Sequence, residues 1–278
     1  MAINNFIPTV WSETLYQELD RAYIGVRNCN RDFEGDIRGK GDTVKICGVG
    51  AVSVFDYTKN TDMSAPETLS DTVRTLTIDR AKGFNFQIDD IDRAQQSPKL
   101  MGEAMRVAAD ALANAADQVI YSLYSEAKEE NTVSGDGVTY DGMLDLLIEA
   151  RKRLIAAGVT SNEVVLEVSP DVAALILKAK ILTSDNNDET LESGYIGSFV
   201  GFRVYVSSNI AQVETDGKLY HKCIARTRRA VAFAEQLSEI NAYRPEKRFA
   251  DAVKGLHLYG AKLIYPAEFV LLDLNLAA

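Results

Sequence analysis

His221 and His257 are the only two histidines in the chain. Neither has a His or Cys partner at the spacing that a zinc or other transition-metal site requires. His257 stands between Leu256 and Leu258. In an extended strand it points away from both, which reads as a hydrogen-bonded structural histidine. Ser–His–Asp and Cys–His catalysis are geometric constellations that a sequence does not display, but the Gly-x-Ser-x-Gly elbow is absent. Gly194, Gly197 and Gly201 miss the Gly-x-Gly-x-x-Gly dinucleotide spacing, and Gly39-Lys40-Gly41 lacks the upstream Gly and following Ser or Thr of a phosphate loop. Asp89, Asp90 and Asp92 form a tight acidic cluster without the further ligands of a calcium loop. They read as acids preceding a helix, where the dipole favours them. The densest basic cluster is Arg226, Arg228 and Arg229. In alternating β-structure Arg226 and Arg228 share a face, suited to a DNA contact or to ion pairs with neighbouring subunits. Nothing supplies a general acid–base pair, a metal site or a cofactor cradle. The expectation is a protein that is not an enzyme and uses no cofactor.

The elements that carry these residues mix strands and helices. Residues 36–90 read as β-structure: Thr43–Ile46, Val52–Phe55, Val73–Ile78 and Phe84–Ile88 are β-branched, aromatic or alternating runs with glycines between them. Asp56–Ser70 is polar and too long for an idle loop in a compact domain, which suggests a hairpin tip that meets another molecule. From Pro98 to about Glu130 runs a helical pattern of roughly 33 residues, about 50 Å long at 1.5 Å per residue. Ser97-Pro98 is its start signal. Leu100, Met101, Ala104, Met105, Ala108, Ala111, Leu112, Ala115, Val119, Leu123 and Tyr124 mark its apolar side. Lys99, Glu103, Arg106, Asp110, Asn114, Asp117 and Gln118 mark its polar side. Before these elements, Ser12–Ala22 reads as a short amphipathic helix with Trp11 as a packing anchor. After them come a turn cluster at 131–137 and a helix carrying Leu144, Leu147, Ile148, Arg151, Leu154 and Ile155, closed by Gly158. A buried strand Val164–Val168, a helix opened by Ser169-Pro170-Asp171, an acidic loop at Thr183–Ser193 and a strand at Val200–Val206 follow. Strand-like runs fill most of Leu219–Leu274. The order is that of an α+β protein.

Composition narrows the function. The chain has 278 residues, 46% hydrophobic and 25% charged, with a net charge of −10, as in soluble globular proteins. That charge argues against a general nucleic-acid binder, which needs a basic footprint. Cys29, Cys47 and Cys223 are odd in number and far apart, fitting neither a disulfide framework nor a zinc site. The N-terminus predicts no signal peptide, and no apolar run approaches the ~18 residues of a membrane span.

Four runs, in order around the Ala-rich helix, carry a resemblance. They are FIPTVWSETL (6–15), RDFEGDIRGKGDTVKI (31–46), IGSFVGFRVYVSSN (196–209) and YRPEKRFADAVKGLHLYGAK (243–262). Together they resemble the major capsid proteins of tailed bacteriophages, shell proteins of the Hong Kong 97-type fold. The resemblance covers nearly the whole chain. It implies an N-terminal arm at 1–35, an extended loop at 36–90, and a peripheral domain at 91–158 with its spine helix at 98–130. An axial domain at 159–235 and return strands with a C-terminal strand at 236–278 complete the division.

The implied function is that of a homo-oligomer. Pentamers and hexamers would close into an icosahedral shell around double-stranded DNA, without sequence-specific binding and without a membrane. A separate scaffolding protein and a portal would be its partners, assembly would occur in the host bacterial cytoplasm, and the product would be the virion capsid. An encapsulin-like nanocompartment shell is the alternative within the fold, and a soluble hydrolase the remote one. Candidate assembly contacts are Asp56, Lys59, Asp62 and Glu67 in the extended loop, and Arg226, Arg228, Arg229, Arg244, Glu246, Lys247 and Arg248 elsewhere. Rim charges of this kind tune partner choice more than affinity. Some relatives cross-link covalently through a Lys of the extended loop. Lys59 lies in the matching region, but no motif identifies a partner Asn.

Overall fold

The computed structural model describes residues 15–33, 41–49, 71–89, 99–159, 163–178, 195–237, 240–247 and 250–277, with Asp56 and Lys59 as isolated positions. The N-terminal helical stretch is seen as residues 15–22 (α1), with Leu15 and Leu19 buried. Strands β1 (Thr43–Val49) and β2 (Asp71–Thr77) form a two-stranded antiparallel ribbon in seven-residue register. Alternation decides its faces. Val44, Ile46, Leu76 and Ile78 turn inward to a small core with Ala232, Ala234, Leu258 and Ile264, while Lys45, Val73 and Thr75 face out. A Cβ on Gly260 would lie 2.2 Å from the Thr77 carbonyl oxygen, so only glycine lets the ribbon sit this close to the sheet beneath. The expected strand Val52–Phe55, the loop Asp56–Ser70 apart from its two isolated positions, and the acidic loop Thr183–Ser193 lie outside the described residues, as do Trp11 and the Ser97-Pro98 start signal.

That sheet is built on β12 (Ala250–Leu263). One edge of β12 pairs with β3 (Arg80–Asp89), the other with β10 (Val231–Leu237) and β11 (Asn241–Tyr243). Helix α2 (Lys99–Ser122) packs across it. At 24 residues α2 is about 36 Å long, shorter than the helix expected over 98–130. It ends where Ser122 turns its hydroxyl back onto the Val119 carbonyl, and 3-10 turns at Leu123–Glu126 and Glu129–Asn131 take over. Serine hydroxyls compete with the helical backbone bonds. The buried face is also rotated from the expected one. Met105, Ala108, Leu112 and Leu123 are buried as expected, but so are Ala109, Ala113, Ala116 and Ile120, whereas Ala111 is exposed.

The second, seven-stranded sheet has the order β4-β13-β9-β5-β7-β6, with β8 on the edge of β9. Its strands are β4 (Thr132–Val138), β5 (Val164–Val168), β6 (Tyr195–Phe199), β7 (Phe202–Val206), β8 (Gln212–Thr215), β9 (Lys218–Thr227) and β13 (Phe269–Leu276). Asp216-Gly217, both with positive φ, make the two-residue turn between β8 and β9. The cluster read as a turn at 131–137 is instead β4, parallel to β13. Its polar, glycine-rich sequence has little intrinsic strand preference, and pairing with the apolar β13 overrides that. Packing requires Gly135, where a Cβ would meet Val138 at 2.6 Å and Leu146 at 2.8 Å.

Helices α3 (Tyr140–Ala156) and α4 (Pro170–Lys178) lie in the connections β4-α3-β5 and β5-α4-β6 and pack against each other. Helix α3 closes at Gly158 as its sequence predicts, and α4 begins at Pro170 after Ser169. The main core joins both sheets, α2 and residues 15–29 into one cluster.

Candidate assembly surfaces

Among the described residues no cluster of His, Cys, Asp and Glu could hold a metal ion, and no helix is long and apolar enough to cross a membrane. Ser169, His221 and Asp171 do come together, with Ser169 Oγ 2.8 Å from His221 Nδ1 and His221 Nε2 3.9 Å from Asp171. The group is nonetheless a helix cap. Ser169 is buried, its hydroxyl also receives the Val172 N–H at 3.4 Å, and Pro170 opens the helix behind it. Burial lowers the His221 pKa, with Asp171 partly opposing, so the ring is held neutral. Burial pushes the Cys29 thiol up to about 11 and the Cys223 thiol up to about 12. Both are therefore unreactive.

The basic cluster is split by the fold. Strand β9 stops at Thr227, and Arg228–Ala230 is a 3-10 turn, so the alternation expected through Arg228 is broken. Arg226, expected at a subunit surface, instead points into the core: both it and Glu167 are 0% exposed. Arg226 Nε and Nη2 donate to Glu167 at 3.0 Å, and its Nη1 and Nη2 donate to the Asn28 and Gly25 carbonyls at 2.6 and 3.0 Å. A buried charge needs this complete set of partners. Arg228 donates to the Arg27 carbonyl at 3.0 Å and is exposed. Arg229 pairs with Glu268, which also accepts the Thr227 hydroxyl at 2.6 Å, and lies over the Tyr265 ring. Arg244, Glu246 and Lys247 are exposed, as are Asp56 and Lys59, whereas Asp62, Glu67 and Arg248 lie outside the described residues.

Two further polar groups bind the N-terminal segment, and neither was read from the sequence. Asp117, expected on the polar side of its helix, is buried and accepts the Ile24 and Val26 N–H groups at 3.1 and 3.0 Å. Burial raises its pKa to about 6, despite the backbone donors of Ile24, Val26 and Gly25. Glu235 accepts the Tyr23 hydroxyl, Arg31 Nη2 at 2.6 Å and His257 Nε2 at 2.7 Å. Burial pushes the Glu235 pKa up, but the three donors outweigh it and hold it below the usual carboxylate value. His257 thus has the structural role its alternation implies. One signal was present in the sequence: Glu167 is the single charge in the run Val-Val-Leu-Glu-Val, and a lone carboxylate in a buried strand implies a buried cation.

Among the described residues these polar groups are a helix cap, buried ion pairs and exposed charges. The arrangement has a segment, residues 23–31, fastened inward by charges, and outer surfaces free for contact. A family model for phage capsid proteins matches residues 71–271. A solved structure from Mycobacterium phage Che8 is 30% identical, with a TM-score of 0.67 and coverage of 90% of each chain. The capsid of Ralstonia phage GP4 is 12% identical, with a TM-score of 0.67 over 88% of this chain and 85% of that one. A virus-like particle from Pyrococcus furiosus is 13% identical, with a TM-score of 0.56 over 94% and 96%. No curated protein matches the chain. With its Hong Kong 97-type fold, this chain belongs to the phage capsid protein family.

Proposed function

We propose that this subunit assembles with copies of itself into pentamers and hexamers that close as an icosahedral phage head around double-stranded DNA. It does so as a structural protein that catalyses nothing. The observation that carries this reading is the 30% identity to the Mycobacterium phage Che8 structure over 90% of both chains, from end to end rather than in one module. The family model for phage capsid proteins, matched over residues 71–271, supports a phage head over a nanocompartment. The physical features agree. The β1–β2 ribbon is pinned on one face and open on the other, and two strands alone are marginal without a covering surface. The net charge of −10 suits enclosure of DNA by confinement rather than by phosphate contacts. The polar loop 56–70, with Asp56, Lys59, Asp62 and Glu67, reaches a neighbouring subunit in this reading, and Arg228, Arg229, Arg244, Glu246, Lys247 and Arg248 supply rim charges. A separate scaffolding protein and a portal complete assembly in the host cytoplasm.

Electron microscopy of the purified full chain tests this: closed shells are expected, and a protein that stays monomeric under all assembly conditions overturns it. Deleting 60–67 should leave a folded subunit with impaired assembly, and normal shells from that deletion would remove the loop's role.

A further inference from the structure

Helix α3 has two apolar faces. Met143, Leu147, Ala150 and Leu154 are buried. Beside them Tyr140, Leu144, Ile148 and Ile155 are 51, 36, 48 and 54% exposed. At 3.6 residues per turn these four fall within an arc of about 80° that adjoins the buried one. The apolar stripe is thus wider than the subunit's own core uses. Scattered exposed Leu or Ile side chains are ordinary; four aligned on one helix make a largely apolar patch on the order of a few hundred Å², the scale at which such surfaces mark contact sites. Arg151 falls within the same arc but is half-buried, its guanidinium over the Phe202 ring. Along the border of the stripe Asp141 and Asp145 are exposed and form no ion pair among the described residues, while Lys152, between them around the helix, pairs with Glu149.

The opposite face of the seven-stranded sheet is different. Residues 24–28 cover it where Glu167 and Arg226 point. That cover does not extend over Arg203 on β7, which is exposed. Arg203 lies between buried Phe202 and Val204, and Phe202 lies under Arg151 of α3 at 5.7 Å. Alternation therefore sends Arg203 to the face away from α3. The unit presents an acid-bordered apolar stripe on one face and an arginine on the other, near the β6 edge. Joining two like faces would set Asp141 and Asp145 of both copies against one another. A head-to-tail contact instead opposes carboxylate and guanidinium, and such heterologous contacts can close into rings.

We propose that α3 is the docking face for a second copy of this chain, with Tyr140, Leu144, Ile148 and Ile155 covered by the β6–β7 edge of the next subunit and Asp145 set against its Arg203. This deepens the shell reading above and rests on it. The test uses the full chain, with assembly followed by sedimentation and electron microscopy and folding by circular dichroism. Ile148→Asp is expected to fold normally and to lower shell yield at least tenfold; Ile148→Ser serves the same purpose if the aspartate variant does not fold. Asp145→Arg and Arg203→Asp should each impair assembly, and the double variant should recover it. Normal shells from both Ile148 variants overturn the docking face. Impaired assembly at Ile148 without recovery in the double charge reversal shows that something other than a second copy in this register occupies the stripe, and also overturns the proposal. A wild-type chain that forms no shells defeats the shell reading itself, an outcome distinct from either.

Discussion

The region around Arg226 and the outer side of α3 depart from the usual partition of side chains in opposite directions. At Arg226 charged groups are fully buried: Glu167 and Arg226 at 0% exposure, Asp117 nearly so. On α3, Leu144, Ile148 and Ile155 are left exposed. The buried charges have little to gain energetically, because desolvation offsets most of their attraction. What they achieve is directional: Arg226 and Asp117 bind named backbone groups of residues 24–28, which an apolar core would hold without register. The exposed apolar groups are non-directional and unsatisfied within the subunit. The difference teaches that the polar interior places the chain's own N-terminal segment, while the apolar exterior makes no such directional contact within the subunit and is the surface proposed above for a second copy.

The comparison breaks most severely at the buried pair. Arg226→Ala strands Glu167 in the core, and a loss of about 3–5 kcal/mol is expected, read as a fall in the denaturation midpoint and in soluble yield. The α3 variants should leave that midpoint unchanged, so equal destabilisation from Ile148→Ser would erase the contrast between the two regions. Gly260→Ala comes next. Its new methyl meets the Thr77 backbone oxygen, which cannot rotate away, and overpacking of this kind costs about 1–3 kcal/mol. Detachment of the ribbon should show as faster amide exchange in β1 and β2.

Acidity sharpens the comparison within the polar interior. The Asp117 pKa is raised to about 6, so its contribution is fully present below the unfolded value near 4 and is lost as pH rises through 6. Glu235 is lowered, so its contribution is present above its unfolded value and is lost as pH falls through the folded one. Asp117→Asn should flatten the melting-temperature profile between about pH 4 and 6, an effect of order 1–3 kcal/mol at most. Glu235→Gln should flatten only the acid limb. Identical profiles for both variants would contradict the assignment. The smallest effect belongs to the exposed Glu103–Arg106–Asp110 ladder on α2. Arg106→Ala is expected to leave the melting temperature unmoved, as solvent-screened helix pairs generally do.

How much of this was legible in the sequence differs from element to element. The strands at 43–46, 73–78, 84–88 and 164–168 and the caps at Ser169 and Gly158 follow from alternation and local chemistry, and the structure has them. Strand β4 was hidden because Thr-Val-Ser-Gly-Asp-Gly-Val is turn-like by composition and becomes a strand only by pairing with β13, more than a hundred residues away. Arg226 looked like a surface group because nothing local reveals that Glu167, Asn28 and Gly25 converge on it.

By itself the sequence determined the α+β class, the amphipathic helices, the lack of catalytic motifs and, through four dispersed runs, the capsid family. These are properties of local periodicity and of residue order along the chain. Only the tertiary structure decided which apolar side of α3 is buried and which is left open, which of three arginines is internal, and that Asp117 faces the core. Each of these is set by contacts between residues far apart in the chain, and a helix or strand cannot carry in its own periodicity the identity of what will pack against it.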